Sequence, residues 1–196
     1  MKLLVIDLEA TCDEAGHISR SSMEIIEIGG AVVSVPEYKI LDTYQGYIKP
    51  VVNPKLSAFC KELTGIKQET VDAAPMFYDA ISTYREWLDS LGKINSWASW
   101  GNYDKGQFEQ DCNRHSADNP HAELKHLNLK NDFGKALGIR RCGMANAFAY
   151  LKHDMQGRHH SGLDDAINIA RLFTLAPNFG AYIAAKLESV GSNVLS

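Results

Sequence analysis

The chain has 196 residues, 45% of them apolar and 22% charged, with 20 Lys and Arg against 24 Asp and Glu for a formal charge of −4. That length and balance fit one globular domain spanning 1–196 with its own core, and they exclude global disorder and a disulfide- or metal-stapled miniprotein. The acidity excludes a coat protein that binds nucleic acid by bulk positive charge, but not a nucleic-acid enzyme whose acidic residues hold cations.

The apolar run Leu3 to Ile6 reads as a strand buried on both faces. Asp7 and Glu9 interrupt it, so neither a signal peptide nor a membrane span is expected there. No later stretch reaches spanning length, and a cytoplasmic protein with no membrane partner is expected. Asp13 to Ser22 reads as a loop. Ile25 to Val33 reads as a second strand, Pro36 breaks it, and Ile40 to Ile48 alternates like a third. Short turns between them predict an antiparallel meander.

The pattern then turns helical. Leu56, Phe59, Cys60 and Leu63 fall at i, i+3, i+4 and i+7, with Gly65 as a stop. Met76 to Leu91 carries a second apolar stripe that ends at Gly92. Ile94 to Trp100 reads as a strand and Lys105 to His115 as a helix. Leu127 and Leu129 fit a short strand or a loop, and the pattern leaves both open. Helices are expected near Asn131 to Leu137, Met144 to His153, Gly162 to Leu175 and Phe179 to Glu188. Strands first and alternating helices afterwards predict a mixed sheet with helices on its faces. Cys12, Cys60, Cys112 and Cys142 show no zinc-ligand spacing and read as separate thiols in a reducing compartment.

Carboxylates stand where a core pattern does not want them. Asp7 and Glu9 lie two residues apart at the end of the first strand, which puts both side chains on one face. They repel one another unless a cation lies between them; the plainer reading is a frayed, exposed strand end. Asp104 follows an apolar strand and precedes a helix, where a helix N-cap is the ordinary role of Asp. Ser161 and Asp164 form an S-x-x-D capping box that starts a helix at Gly162. Asp165, about 100° further round that helix, is free to point elsewhere. His160, in the entering loop five residues before Asp165, can converge with it on one spot.

Ile6 to Thr11 (IDLEAT), Asn102 to Phe108 (NYDKGQF) and His160 to Ala166 (HSGLDDA), in this order, resemble the DEDDh 3′–5′ exonucleases. Leu56 to Ile66 (LSAFCKELTGI) and Gly162 to Arg171 (GLDDAINIAR) are similar to the exoribonuclease branch that trims histone mRNA 3′ ends and opposes RNA interference. The resemblance runs from Leu3 to about Leu175. Animal members of that branch carry an additional RNA-binding SAP domain, for which this chain has no room, so their particular RNA targets are not carried over.

The resemblance implies an α/β, ribonuclease H-like fold, a mixed five-stranded sheet flanked by helices, forming a single exonuclease domain. It places metal ligands on Asp7, Glu9, Asp104 and Asp165 and the general base on His160. It implies two Mg²⁺ ions, with Mn²⁺ able to substitute, and carboxylate oxygens suit such hard cations. On the substrate side it places Phe59 and Tyr103 against the terminal base, Leu63 and Thr64 alongside, and the backbone of Ala10 and Thr11 near the terminal 3′-hydroxyl. The helical stripe alone reads Phe59 and Leu63 as core. Lys105 is equally a phosphate contact or a solvated charge. The expected partners are single-stranded RNA or DNA 3′ ends, RNA favoured, with nucleoside 5′-monophosphates as products; protein partners are unknown. A DNA exonuclease of the same superfamily and a catalytically silent RNA-binding module are the alternatives.

Overall fold

In the computed structural model, residues 1–192 are described, with side chains through Ser189. β1 (Lys2–Ala10) runs through the middle of a five-stranded sheet, between β2 (Ile25–Ser34) and β4 (Ser96–Ser99). β3 (Ile40–Tyr47) forms one edge and β5 (His126–Asn128) the other, for a spatial order β3-β2-β1-β4-β5. β1, β2 and β3 pair antiparallel as the predicted meander, while β4 and β5 join in parallel.

Alternation along β1 divides the core into two layers. Leu3 and Val5 pack with Phe133 of α5 (Leu129–Leu137) and with Ile169 and Phe173 of α7 (Gly162–Leu175). Leu4, Ile6 and Leu8 pack on the opposite face with Tyr84 of α3 (Phe77–Ser90) and Phe108 of α4 (Tyr103–Arg114). Each fully buried Phe or Leu here contributes about 1.5–3 kcal/mol over leaving it exposed. The remaining helices are α1 (Ala58–Thr64), α2 (Gln68–Ala73), α6 (Met144–Leu151) and α8 (Pro177–Ser192). The mixed five-stranded sheet flanked by helices is the architecture that the resemblance implies. Among the described residues no helix is long and apolar enough to cross a membrane.

Several expectations are revised. α2 was not anticipated, because six residues are too short to show a helical period. Leu127 lies in β5 and Leu129 opens α5, so the two residues left open fall on either side of an element boundary. The capping box at α7 does not form. Ser161 holds the N-cap position without a side-chain bond, and the Asp164 carboxylate instead accepts the Arg158 backbone N–H at 2.8 Å. The four thiols are free as expected, though Cys12 packs against the small core cluster that contains Cys60, whose Sγ donates to the Ala10 carbonyl at 3.7 Å.

Candidate active site

β1 continues unbroken to Ala10, so Asp7 and Glu9 extend the row begun by Leu3 and Val5 toward α7. Glu9 is 7% exposed, which removes the reading of a frayed, solvated strand end. From the other side, the first turn of α7 delivers Asp165. One oxygen from each of Asp7, Glu9 and Asp165 lies within 4.8 Å of the other two. Asp104 adjoins this group from α4. It is the second residue of that helix, and Asn102 occupies the N-cap position, so Asp104 is not the cap. Its Oδ1 accepts the Leu8 N–H at 3.1 Å. The parallel β1–β4 ladder ends at Val5, which leaves room for a side chain to take over that bond.

The site is crowded with like charge. Burial, followed by the charges of Asp104, Asp165, Glu9 and Glu27, pushes Asp7 well above the ordinary carboxylate range. Burial and then Glu27 push Glu9 up to about 8. Burial raises Asp104 to about 6, against the opposing hydrogen bond from Leu8. Asp165 is raised by burial, against hydrogen bonds from the His160 backbone and the His159 ring. No lysine or arginine is ion-paired to any of the four among the described residues. An all-oxygen donor set of buried, mutually repelling carboxylates fits divalent cations of the Mg²⁺ class.

This crowding has a measurable consequence. A carboxyl whose pKa is higher in the folded chain than in the unfolded one stabilises the fold at low pH, and that contribution is lost as pH rises through the folded value. For Glu9 the window runs from 4.5 to about 8. In EDTA, the melting temperature is expected to fall across that window, and Glu9→Gln should flatten the fall. A divalent cation should restore stability at the alkaline end, because it binds only the folded arrangement. A Glu9→Gln variant with the parental pH slope would show that Glu9 is not crowded.

The histidines hold a difference from expectation. The imidazole against Asp165 belongs to His159, whose Nδ1 lies 2.9 Å from Oδ2. His160 contributes its backbone N–H to the same oxygen at 2.9 Å and stacks its ring on His159, with centroids 4.1 Å apart. His160 has φ +64°, a left-handed conformation that costs a non-glycine residue of order 1 kcal/mol or more. Burial, then the neighbouring His159 and Arg158, hold its imidazole below the usual histidine value.

A cavity of about 320 Å³ opens over these groups, with Ala10, Leu63 and Tyr103 on its wall. Thr11 and Thr64 are turned inward. Thr11 Oγ1 accepts the Glu24 N–H at 3.0 Å, and Thr64 Oγ1 donates to the Cys60 carbonyl at 2.8 Å. Phe59 does not line this cavity and is half-buried outside the three core clusters, so the core reading does not describe it. One face of Tyr103 is covered by the guanidinium of Arg20, 3.7 Å from the ring centroid. Lys105 points to the other side of α4, where it lies 3.5 Å from Glu109.

Three residues escaped the sequence reading. Arg20 and His159 carry no signal in the sequence, because only the fold brings them to Tyr103 and Asp165. Glu27 did carry one. It is a charged residue inside the buried run of β2, the same anomaly that exposes Asp7 and Glu9. It stands directly opposite Glu9 in the ladder and is 1% exposed.

Residues 4–173 match the family model described as Exonuclease (RNase T). The chain is 32% identical over 201 residues to mouse 3'-5' exoribonuclease 1, covering 99% of this chain and 58% of that protein. The curated relatives matched first are thus substantially longer than this chain. The nuclease domain of 3'hExo, a DEDDh family member solved with bound rAMP, superposes with a TM-score of 0.80 at 33% identity, over 87% of this chain and 88% of that one. A 3'-exonuclease solved in specific recognition of the histone mRNA stem-loop 3' end gives 0.82 at 29% identity, over 91% of this chain and 63% of that one.

Proposed function

Because the chain belongs to the RNase T exonuclease family, we propose that it is a metal-dependent 3′–5′ exonuclease that degrades single-stranded nucleic acid, RNA in preference to DNA, to nucleoside 5′-monophosphates. The observation that carries this reading is the meeting of Asp7, Glu9 and Asp165 oxygens within 4.8 Å, with Asp104 beside them. The RNA preference rests on the relatives, one named an exoribonuclease and one solved with rAMP. The same proposal takes residues 1–196 as one exonuclease domain.

Asp7, Glu9, Asp104 and Asp165 would hold two Mg²⁺, or Mn²⁺, which when bound supply activation of water and stabilisation of the leaving oxygen. The chain's own groups do the rest. Leu8 orients the Asp104 carboxylate, and the His160 backbone orients Asp165. The imidazole of His160, held below its usual pKa, is largely unprotonated near neutrality and accepts a proton from the attacking water at a ring nitrogen. Leu63 and Tyr103 offer an apolar wall to a terminal base.

The test is a time course on 3′- and 5′-labelled single-stranded RNA and DNA oligomers of one sequence, with Mg²⁺ or EDTA. Mononucleotides released from the 3′ end, faster for RNA and only with Mg²⁺, are expected. Faster DNA cleavage would overturn the RNA preference, and no cleavage of either would overturn the activity. On the same substrate, Phe59→Ala is expected to weaken single-strand binding by roughly 1–3 kcal/mol, the worth of one base–aromatic stack, with little change in melting temperature. A destabilised variant with parental affinity would return Phe59 to the core.

A further inference from the structure

From the placement of Glu27 we infer that it is a positioning residue, which seats the start of α7, and with it Asp165 and His160, against the carboxylates of β1. Glu27 and Glu9 are partners in the antiparallel ladder, so both side chains stand on the α7 face of the sheet. Glu27 Oε1 accepts the Leu163 N–H at 3.3 Å and the Gln45 Nε2–H at 2.9 Å. The first turn of a helix leaves backbone donors without intrahelical partners, and a side chain at the N-cap usually takes one. Ser161 does not. The carboxylate that takes the Leu163 donor comes instead from β2, 136 positions away in the chain.

The fit around this contact is tight. A Cβ on Gly162 would lie 3.0 Å from the Asp7 carbonyl oxygen and 3.3 Å from Glu27 Cδ. A Cβ on Gly29 would lie 1.9 Å from the Gly162 carbonyl carbon. Helix start and strand therefore meet backbone to backbone, and Glu27 is the polar latch of that seat. Asp165 lies two residues beyond Leu163, so a small shift of this turn moves its oxygens out of the group they form with Asp7 and Glu9. The latch has a cost. Like charges directly opposite in a ladder destabilise it, and Glu27 is the largest charge acting on Glu9. A carboxylate facing a helix N-terminus gains part of this back from the macrodipole.

Reach and charge are separable by two conservative variants. Glu27→Gln keeps the acceptor at the same length without the charge. Glu27→Asp keeps the charge but stops one methylene short of Leu163. The inference rests on the exonuclease reading for its kinetic readout. It predicts that Glu27→Gln keeps kcat within threefold of the parent, while Glu27→Asp loses at least tenfold in kcat with KM within threefold. It further predicts faster amide exchange at Leu163 and at least threefold weaker Mn²⁺ binding in Glu27→Asp alone. Glu27→Gln falling as far as Glu27→Asp, or Glu27→Asp matching the parent, would overturn it. If the parent chain cleaves no nucleic acid, the proposed activity fails, and amide exchange and Mn²⁺ affinity still decide the role of Glu27.

Discussion

Asp7→Asn is expected to remove nearly all turnover, by at least ~10³-fold at saturating Mg²⁺, while leaving the chain folded. Asp7 stands between two sets of neighbours. It shares a 4.8 Å group with Glu9 and Asp165, and Asp104 is the largest charge acting on it. Loss of Asp7 therefore removes a donor that lies between the α4 side of any cation site and the α7 side. Asparagine keeps the size and one oxygen, which limits the change to charge and donor strength. Folding should gain. In EDTA near pH 8 the parent holds a desolvated, mutually repelling set, and removing one member should raise the melting temperature. Loss of activity together with a higher metal-free melting temperature is a result that simple misfolding cannot produce. Turnover within twofold of the parent, at any Mg²⁺ concentration, would remove Asp7 from the site.

What was legible in the sequence follows from where a charge breaks an apolar pattern. Asp165 was visible because it follows the capping-box position at a helix start, five residues after His160, and Asp7 and Glu9 because β1 is otherwise apolar and a carboxylate there needs a reason. Glu27 met the same criterion in β2 but had no second carboxylate two residues away to draw attention to it. Helical spacing located α1 but not its orientation. Leu56 and Cys60 of its stripe enter the core, whereas Phe59 and Leu63 lie at its margin, and a period of 3.6 says nothing of which edge faces a cavity. The capping box failed because Asp164 had a competing donor at Arg158 across a turn. The meetings of Cys12 with the cluster around Cys60, Arg20 with Tyr103 and His159 with Asp165 are tertiary, and no local pattern encodes them.

His160→Ala is expected to lower turnover about 10²–10⁴-fold, the usual share of general-base catalysis, and to leave Mn²⁺ binding near that of the parent. The neighbouring His159 makes this a sharp test, since its ring and not that of His160 touches the Asp165 carboxylate. That contact points away from a role as base. It occupies the oxygens that a cation would need, so His159→Ala should keep turnover within about threefold and bind Mn²⁺ at least as tightly as the parent. The His160 imidazole lies within 4.8 Å of Asp165 without the close contact that His159 makes, is held in place by the left-handed backbone and the stack on His159, and faces the cavity. Its pKa is depressed by burial and then by the neighbouring His159 and Arg158, so the proton leaves at lower pH than from an ordinary histidine. At saturating Mg²⁺, which keeps the ligand carboxylates ionised, the rate should therefore rise with pH through a limb below about 6.5, the unperturbed histidine value, and be level near neutrality. His160→Ala should lose that limb along with the rate, whereas His159→Ala should keep it. If His159→Ala instead loses both, the proton acceptor is His159, and the stack would serve to hold that ring against Asp165.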